Sequence, residues 1–143
     1  MDKLQRMLNT AARVITRTRK YDPGLTRIRR EELHWLDIRD RITFKLCVSV
    51  FKCLLGLAPS YLAYLCRPLA NNQGRRHPRS AARGQLQVPR RRLSTYGKRA
   101  FDYAGPKFWN NLPDYLKDNG HSLTTLKRLL KTSVKGKLAH PAL

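Results

Sequence analysis

Acidic residues are scarce in this chain. Nine Asp and Glu stand against 30 Lys and Arg in 143 residues, a formal charge of +21. Asp22, Glu31, Glu32, Asp102, Asp114 and Asp118 are dispersed among basic neighbours or sit at helix starts. The clustered carboxylates that two-metal phosphoryl transfer needs are therefore missing. Ser94, Ser122 and Ser133 have no identifiable His and Asp partners, and no Gly-rich phosphate loop is present. Cysteine is limited to Cys47, Cys53 and Cys66, in apolar context and without CxxC spacing, which predicts buried thiols in a reducing compartment. His34, His77, His121 and His140 are scattered and lack the spacing of a zinc site. The residues predict no catalysis, metal, cofactor or small-molecule substrate for this chain.

Long uncharged apolar runs are also lacking. Lys45 and Lys52 interrupt the most apolar stretch, and the run between them falls far short of the ~20 residues that a membrane span requires. What is abundant is positive charge. Such a chain repels itself, and a polyanion would relieve the repulsion. Nucleic acid is the leading candidate, an anionic membrane surface the second and a ribosomal-type surface the third. Charge alone does not separate them.

The apolar stretch, residues 33–66, organises the fold. On a helix turning about 100° per residue, Arg41, Lys45, Ser49 and Lys52 share one narrow stripe. The other faces carry Ile42, Phe44, Leu46, Cys47, Val48, Val50, Phe51, Leu54 and Leu55. A helix apolar round most of its girth is covered on several sides, which predicts a core helix over 38–55 with others around it. Asp37 suits its N-cap, Asp40 its first turn and Gly56 a left-handed close. Pro59 then suits the first turn of a short helix over 60–66.

Residues 2–20 read as an amphipathic helix. Leu4, Met7, Leu8, Ala11, Ala12, Val14 and Ile15 share one face, and Arg6, Arg13, Arg17 and Lys20 converge opposite, as a solvated face or a ridge along phosphates. The same Arg-rich, acid-poor start has the character of a mitochondrial leader, against which Asp2 and the lack of Ser weigh. Asp22-Pro23-Gly24 turns the chain into a short helix over 25–33, and Trp35 is expected to anchor packing.

From 71 to 92 the character changes to NNQGRRHPRSAARGQLQVPRRR, too polar for a core. It predicts an extended basic arm carrying Arg75, Arg76, Arg79, Arg83, Arg90, Arg91 and Arg92, with room for one short strand at 85–88 before Pro89. Tyr96, Phe101, Tyr103, Phe108, Trp109 and Tyr115 follow, interleaved with Lys98, Arg99 and Lys107. These suit either buried packing or single-strand stacking. Pro106 and Pro113 each suit a first helical turn, so two or three short helices are expected. Ser122 caps a last amphipathic helix over 123–135. The expected fold is all-α, an irregular bundle of short helices around one core helix. Its segments are 1–70, a basic arm or linker at 71–95, an aromatic-rich helical part at 96–135 and a frayed tail.

The order LQRMLNTAARVITRTRKYD, ELHWLDIRDRITFKL, FKCLLGLAPSYLAYL, VPRRRLSTYGKRAFDYAGPKFWNNLPDYLKD and SLTTLKRLLK resembles one known region. It is similar to the C-terminal end of the reverse-transcriptase polyprotein of LINE-type, non-LTR retrotransposons of the jockey and chicken-repeat kind. The likeness runs from Leu4 to about Lys131 and rests on LHWL, GLAPSYL, TYG-RAF and P-FWNNLP in sequence. It implies a piece of an RNA-directed DNA polymerase lying beyond the catalytic palm, which helps to hold RNA or DNA. Asp37 stands where that family commonly has Pro. The family's endonuclease, palm and aromatic-x-Asp-Asp magnesium signature have no counterpart here, and a frame beginning inside the matched region leads to the expectation of a truncated element copy or a fragmentary gene model. The phosphate-contacting set expected is Arg75, Arg76, Arg79, Arg83, Arg90, Arg91 and Arg92, supported by Arg13, Arg17 and Lys20. Two rivals stand beside it: a module docking segment 96–116 on the remainder of a polymerase, and a basic organellar protein. A nuclear or cytoplasmic setting is expected ahead of a mitochondrial one.

Overall fold

The computed structural model describes residues 2–71, 84–92, 96–118 and 120–136. Among them are six α-helices: α1 (Asp2–Thr16), α2 (Leu25–Glu31), α3 (Ile38–Leu54), α4 (Ser60–Ala63), α5 (Phe101–Asn110) and α6 (Leu123–Gly136). Short 3-10 turns lie at Leu69–Asn71, Gly97–Arg99 and Asp114–Leu116. The fold is all-α, as the periodicity predicts. No helix among the described residues is long and apolar enough to cross a membrane. The backbone divides into two compact units, Met1–Ile42 and Thr43–Leu143, with the division inside α3.

In the first unit α1 ends earlier than expected. Arg17 takes a left-handed conformation (φ 53°), and the Thr18 N–H reaches back to the Arg13 carbonyl at 3.0 Å, a helix-closing bond. The Arg19 N–H then donates to the Asp22 carboxylate at 2.8 Å, fixing the turn. Arg17 and Lys20 thereby leave the helical stripe they were expected to share with Arg6 and Arg13.

The covered flank of α1 is also not its most apolar one. Ala12 is buried and Gln5, Leu8, Asn9 and Thr16 are half-buried, whereas Leu4, Met7, Val14 and Ile15 are 54–73% exposed. The polar members of that flank explain the choice. Arg29 of α2 is buried, and its guanidinium donates to Asn9 Oδ1 and pairs with Asp37. Arg30 pairs with the second Asp37 oxygen. Asp37 does hold the N-cap position, since its carbonyl accepts the Arg41 N–H at 2.8 Å. Its carboxylate is nevertheless given to the two arginines, and Gln5 Oε1 accepts the Ile38 N–H at 3.0 Å in its place. Burial first, and then the Asp37 charge, push the carboxyl of Asp40 above its ordinary range.

The second unit holds the core. Cys47, Val50 and Phe51 of α3 are fully buried at i, i+3 and i+4, while Lys45 stays exposed. Phe51 stacks on Trp109 of α5 with ring centroids 6.1 Å apart and planes at 27°. Leu112, Leu116, Leu126 and Leu130 complete the cluster. Gly56 (φ 69°) closes α3 as expected, with Leu57 N–H on the Lys52 carbonyl at 2.8 Å. Ser122 caps α6, its Oγ accepting the Thr125 N–H at 3.1 Å.

Pro106 departs from expectation, for it lies inside α5 rather than in a first turn. A proline there removes one helical bond. The helix persists because Ala104, Gly105, Pro106 and Trp109 are all buried against the core. Gly105 is the closest approach: a Cβ there would stand 3.0 Å from Val50 Cγ2. Cys47, Cys53 and Cys66 are free and buried. Desolvation first, and then the neighbouring Cys53, push the Cys66 thiol up to about 12.

Candidate nucleic-acid interface

The basic segment after residue 83 is tied down along its length. Gly84 (φ 62°) turns the chain, and its carbonyl accepts the indole N–H of Trp109 at 3.0 Å. Leu86 is 1% exposed and belongs to the core, so for 84–92 the expectation of an arm too polar for the core does not hold. On one side Gln85 O accepts the Leu69 N–H at 3.0 Å, and Gln87 N–H donates to the Arg67 carbonyl at 2.8 Å. This is an isolated antiparallel bridge between Pro68 and Leu86 in place of the short strand that the alternation permits. On the other side the Asn110 side chain takes both polar groups of the Leu86 peptide. One buried residue thus has its peptide held from two directions, and Pro89 follows without an N–H to extend the ladder.

Arg90, Arg91 and Arg92 leave this anchor together, but they are not equivalent. Arg91 pairs with Asp102 of α5, and its stem lies against Gly97, where a Cβ would meet Arg91 Cβ at 3.2 Å. The other oxygen of Asp102, Oδ1, is buried and has no hydrogen-bond partner among the described residues. Arg90, Arg92 and Lys98 are exposed. With Arg91, Val88, Pro89 and Tyr103 they line an open cleft of about 680 Å³. The Lys107 ammonium lies 5.5 Å from the centroid of the Tyr103 ring. Asp102 spends its charge on Arg91, so the cleft is left positive by three side chains.

Pro89 also walls a second, smaller cavity of about 180 Å³, with Tyr64, Leu65, Arg67, Gln87 and Asp102. There the Arg67 guanidinium lies over the Tyr64 ring, 4.2 Å from its centroid, and its Nε donates to the Tyr64 carbonyl at 3.4 Å.

Of the residues expected to contact phosphate, Arg90, Arg91 and Arg92 are brought together, with Arg91 already committed to Asp102. Arg75, Arg76, Arg79 and Arg83 lie outside the described residues. Arg13, Arg17 and Lys20 belong to the first unit. There the Arg13 guanidinium donates to the Arg19 carbonyl, Arg17 closes α1, and Lys20 lies 5.4 Å from the Tyr21 ring centroid.

The aromatic segment divides. Trp109 is fully buried and Phe101 and Phe108 pack against the core, while Tyr96 and Tyr115 are exposed. Tyr64, Arg67 and Gln87 were not anticipated. The tyrosine and arginine sit at i and i+3, a spacing that brings a ring under a guanidinium at a helix end. Comparison of the chain with protein-family models, with curated proteins and with solved structures finds no match.

Proposed function

We propose that this chain is a non-catalytic, nucleic-acid-binding part of a retrotransposon-type RNA-directed DNA polymerase, and that it holds RNA or DNA by its phosphates. The observation that carries this reading is the cleft in which Arg90, Arg92 and Lys98 converge without an acidic partner among the described residues. Three exposed cations lining one concave surface on a chain of charge +21 suit a polyanion. Phosphate contacts of this kind position a strand and read little of its sequence. The ordered segments LHWL, GLAPSYL and P-FWNNLP supply the polymerase part of the proposal.

The test is a salt titration of the full chain with a labelled oligonucleotide, followed by fluorescence anisotropy. Each phosphate neutralised contributes roughly 0.7 to 0.9 to the magnitude of the log–log salt slope. Arg90→Gln, Arg92→Gln and Lys98→Gln together should lower that magnitude by about 2 to 3 while helicity is retained. An unchanged slope would remove the cleft from the interface.

A second reading is favoured by α1. Leu4, Met7, Val14 and Ile15 form an uncovered apolar stripe, whereas segment 96–116 buries its larger apolar residues. If the chain docks on the remainder of a polymerase, α1 supplies the better surface. Met7→Glu with Val14→Glu would then abolish co-purification with a polymerase body while oligonucleotide affinity stays unchanged.

A further inference from the structure

The cavity at Tyr64 and Arg67 has no part in neutralising phosphate, yet it adjoins the cleft that does. Four features define what it would take. Tyr64 is 69% exposed although a guanidinium is stacked on it, so a flat, polarisable surface faces solvent. Arg67 is held in that plane by two contacts, one with the ring and one with the Tyr64 carbonyl, so little side-chain freedom is left to lose on binding. The remaining walls are Leu65 and Pro89, which are apolar, and Asp102, whose carboxylate pairs with Arg91. The exposed Gln87 at the rim carries an amide that both donates and accepts.

A flat cation–aromatic pair, two apolar walls, one bifunctional amide and one carboxylate that can only accept fit a planar heterocycle with edge donors and acceptors. A phosphate would not use the ring. The cavity, about 180 Å³ against about 680 Å³ for the cleft, is of a size for one such group. Pro89 walls both, so a chain whose phosphates lie beside Arg90 and Arg92 passes the mouth of the smaller one.

We propose that the Tyr64–Arg67 cavity receives one unpaired nucleobase from a strand held in the Arg90–Arg92–Lys98 cleft, so that the preferred ligand is single-stranded. A duplex keeps its bases stacked and paired inside and cannot offer one without unstacking it. The inference rests on the phosphate-binding reading above, and it adds a base contribution that phosphate contacts cannot supply. Arg67 is the positioning residue and Tyr64 the stacking surface.

Three labelled ligands of equal length separate the contributions: a single strand, the same strand with abasic sites throughout, and the duplex. The full chain should bind the base-bearing single strand roughly 5- to 150-fold more tightly than the abasic one, the range expected for stacking one base. Tyr64→Leu should remove that ratio and leave the salt slope unchanged, and Tyr64→Phe should keep most of it. Circular dichroism of each variant verifies the fold. Equal affinity for base-bearing and abasic strands, or a ratio that survives Tyr64→Leu, overturns the base pocket while leaving the phosphate cleft standing. Failure to bind any of the three ligands overturns both.

Discussion

The side-chain amide of Asn110 pairs with the peptide of Leu86 as a neighbouring strand would. Its Nδ2 donates to the Leu86 carbonyl and its Oδ1 accepts the Leu86 N–H, each at 2.8 Å. Leu86 itself is a core residue, so these peptide groups have little access to water. Asn110→Ala leaves a donor and an acceptor unpaired, at about 1 to 3 kcal/mol for each buried group. A loss of ~2 kcal/mol or more in denaturant unfolding is expected, together with weaker oligonucleotide binding, because the same peptide anchors Arg90 and Arg92. Unchanged stability would show that the Pro68–Leu86 bridge holds the segment alone.

Gly105→Ala sets two opposing effects against each other. Alanine in a helix interior gains about 1 kcal/mol over glycine. The new methyl would stand 3.0 Å from Val50 Cγ2 and 3.3 Å from Phe101 Cε2, so the fully buried Val50 or the Phe101 ring must shift to admit it. Overpacking of this kind costs roughly 1 to 3 kcal/mol, so a net loss is expected. The diagnostic is a double-mutant cycle: in a Val50→Ala background the same change should be neutral or stabilising.

These relationships mark where the sequence can be read and where it cannot. The core helix was legible because its polar residues keep to one helical stripe and leave the rest of its girth apolar, and the ends of α3 and α6 because Gly56 and Ser122 are closing and capping residues with a local mechanism. The end of α1 was not legible, since it depends on an arginine adopting a positive φ and on the Asp22 carboxylate five residues further on. The covered side of α1 was obscured in the same way: a buried Arg29 with two long-range partners outweighs an apolar stripe. For the candidate site, the cluster of arginines at 90–92 was plain, but its division between Arg91 and the others depends on Asp102, which is remote in sequence. Tyr64 and Arg67 lay in a stretch whose apolar character drew attention to packing.

Asp37 joins the first unit by accepting from Arg29 and Arg30 at once. Arg29 has 4% of its side chain exposed, so Asp37→Ala strands a buried guanidinium and should cost about 3 to 5 kcal/mol in that unit. Hydrogen exchange of α1 and α2 measures this directly. Their amides should lose protection while those of α5 and α6, which belong to the other compact unit, keep theirs.

The buried thiols make stability fall in alkali. Cys66 titrates near 12 in the folded chain against an ordinary 9.0, because burial disfavours the thiolate, and Cys53 is raised for the same reason. The unfolded chain therefore releases protons that the folded chain keeps once the pH passes about 9. The contribution is complete below that pH and is lost progressively up to about 12. Cys53→Ala with Cys66→Ala should flatten the decline between those limits. Thiol reagents at neutral pH should modify these cysteines only as fast as the chain unfolds.

Arg91 and its two neighbours should respond differently to the same substitution. Arg90 and Arg92 are exposed and have no acidic partner among the described residues, so Arg90→Gln or Arg92→Gln should lower the salt slope by ~0.7 to 0.9 each and leave unfolding unchanged. Arg91 neutralises Asp102, whose carboxylate is largely covered and whose Oδ1 has no hydrogen-bond partner among the described residues. Arg91→Gln leaves that carboxylate uncompensated, which should appear as lost stability with little change in slope. Adding Asp102→Asn removes the stranded charge and should return part of the stability, whereas the same Asn in the parent chain should destabilise by removing the pair. If Arg91→Gln instead changed the slope as its neighbours do, with stability intact, Arg91 would be free for phosphate and Asp102 would not be what orders the cleft.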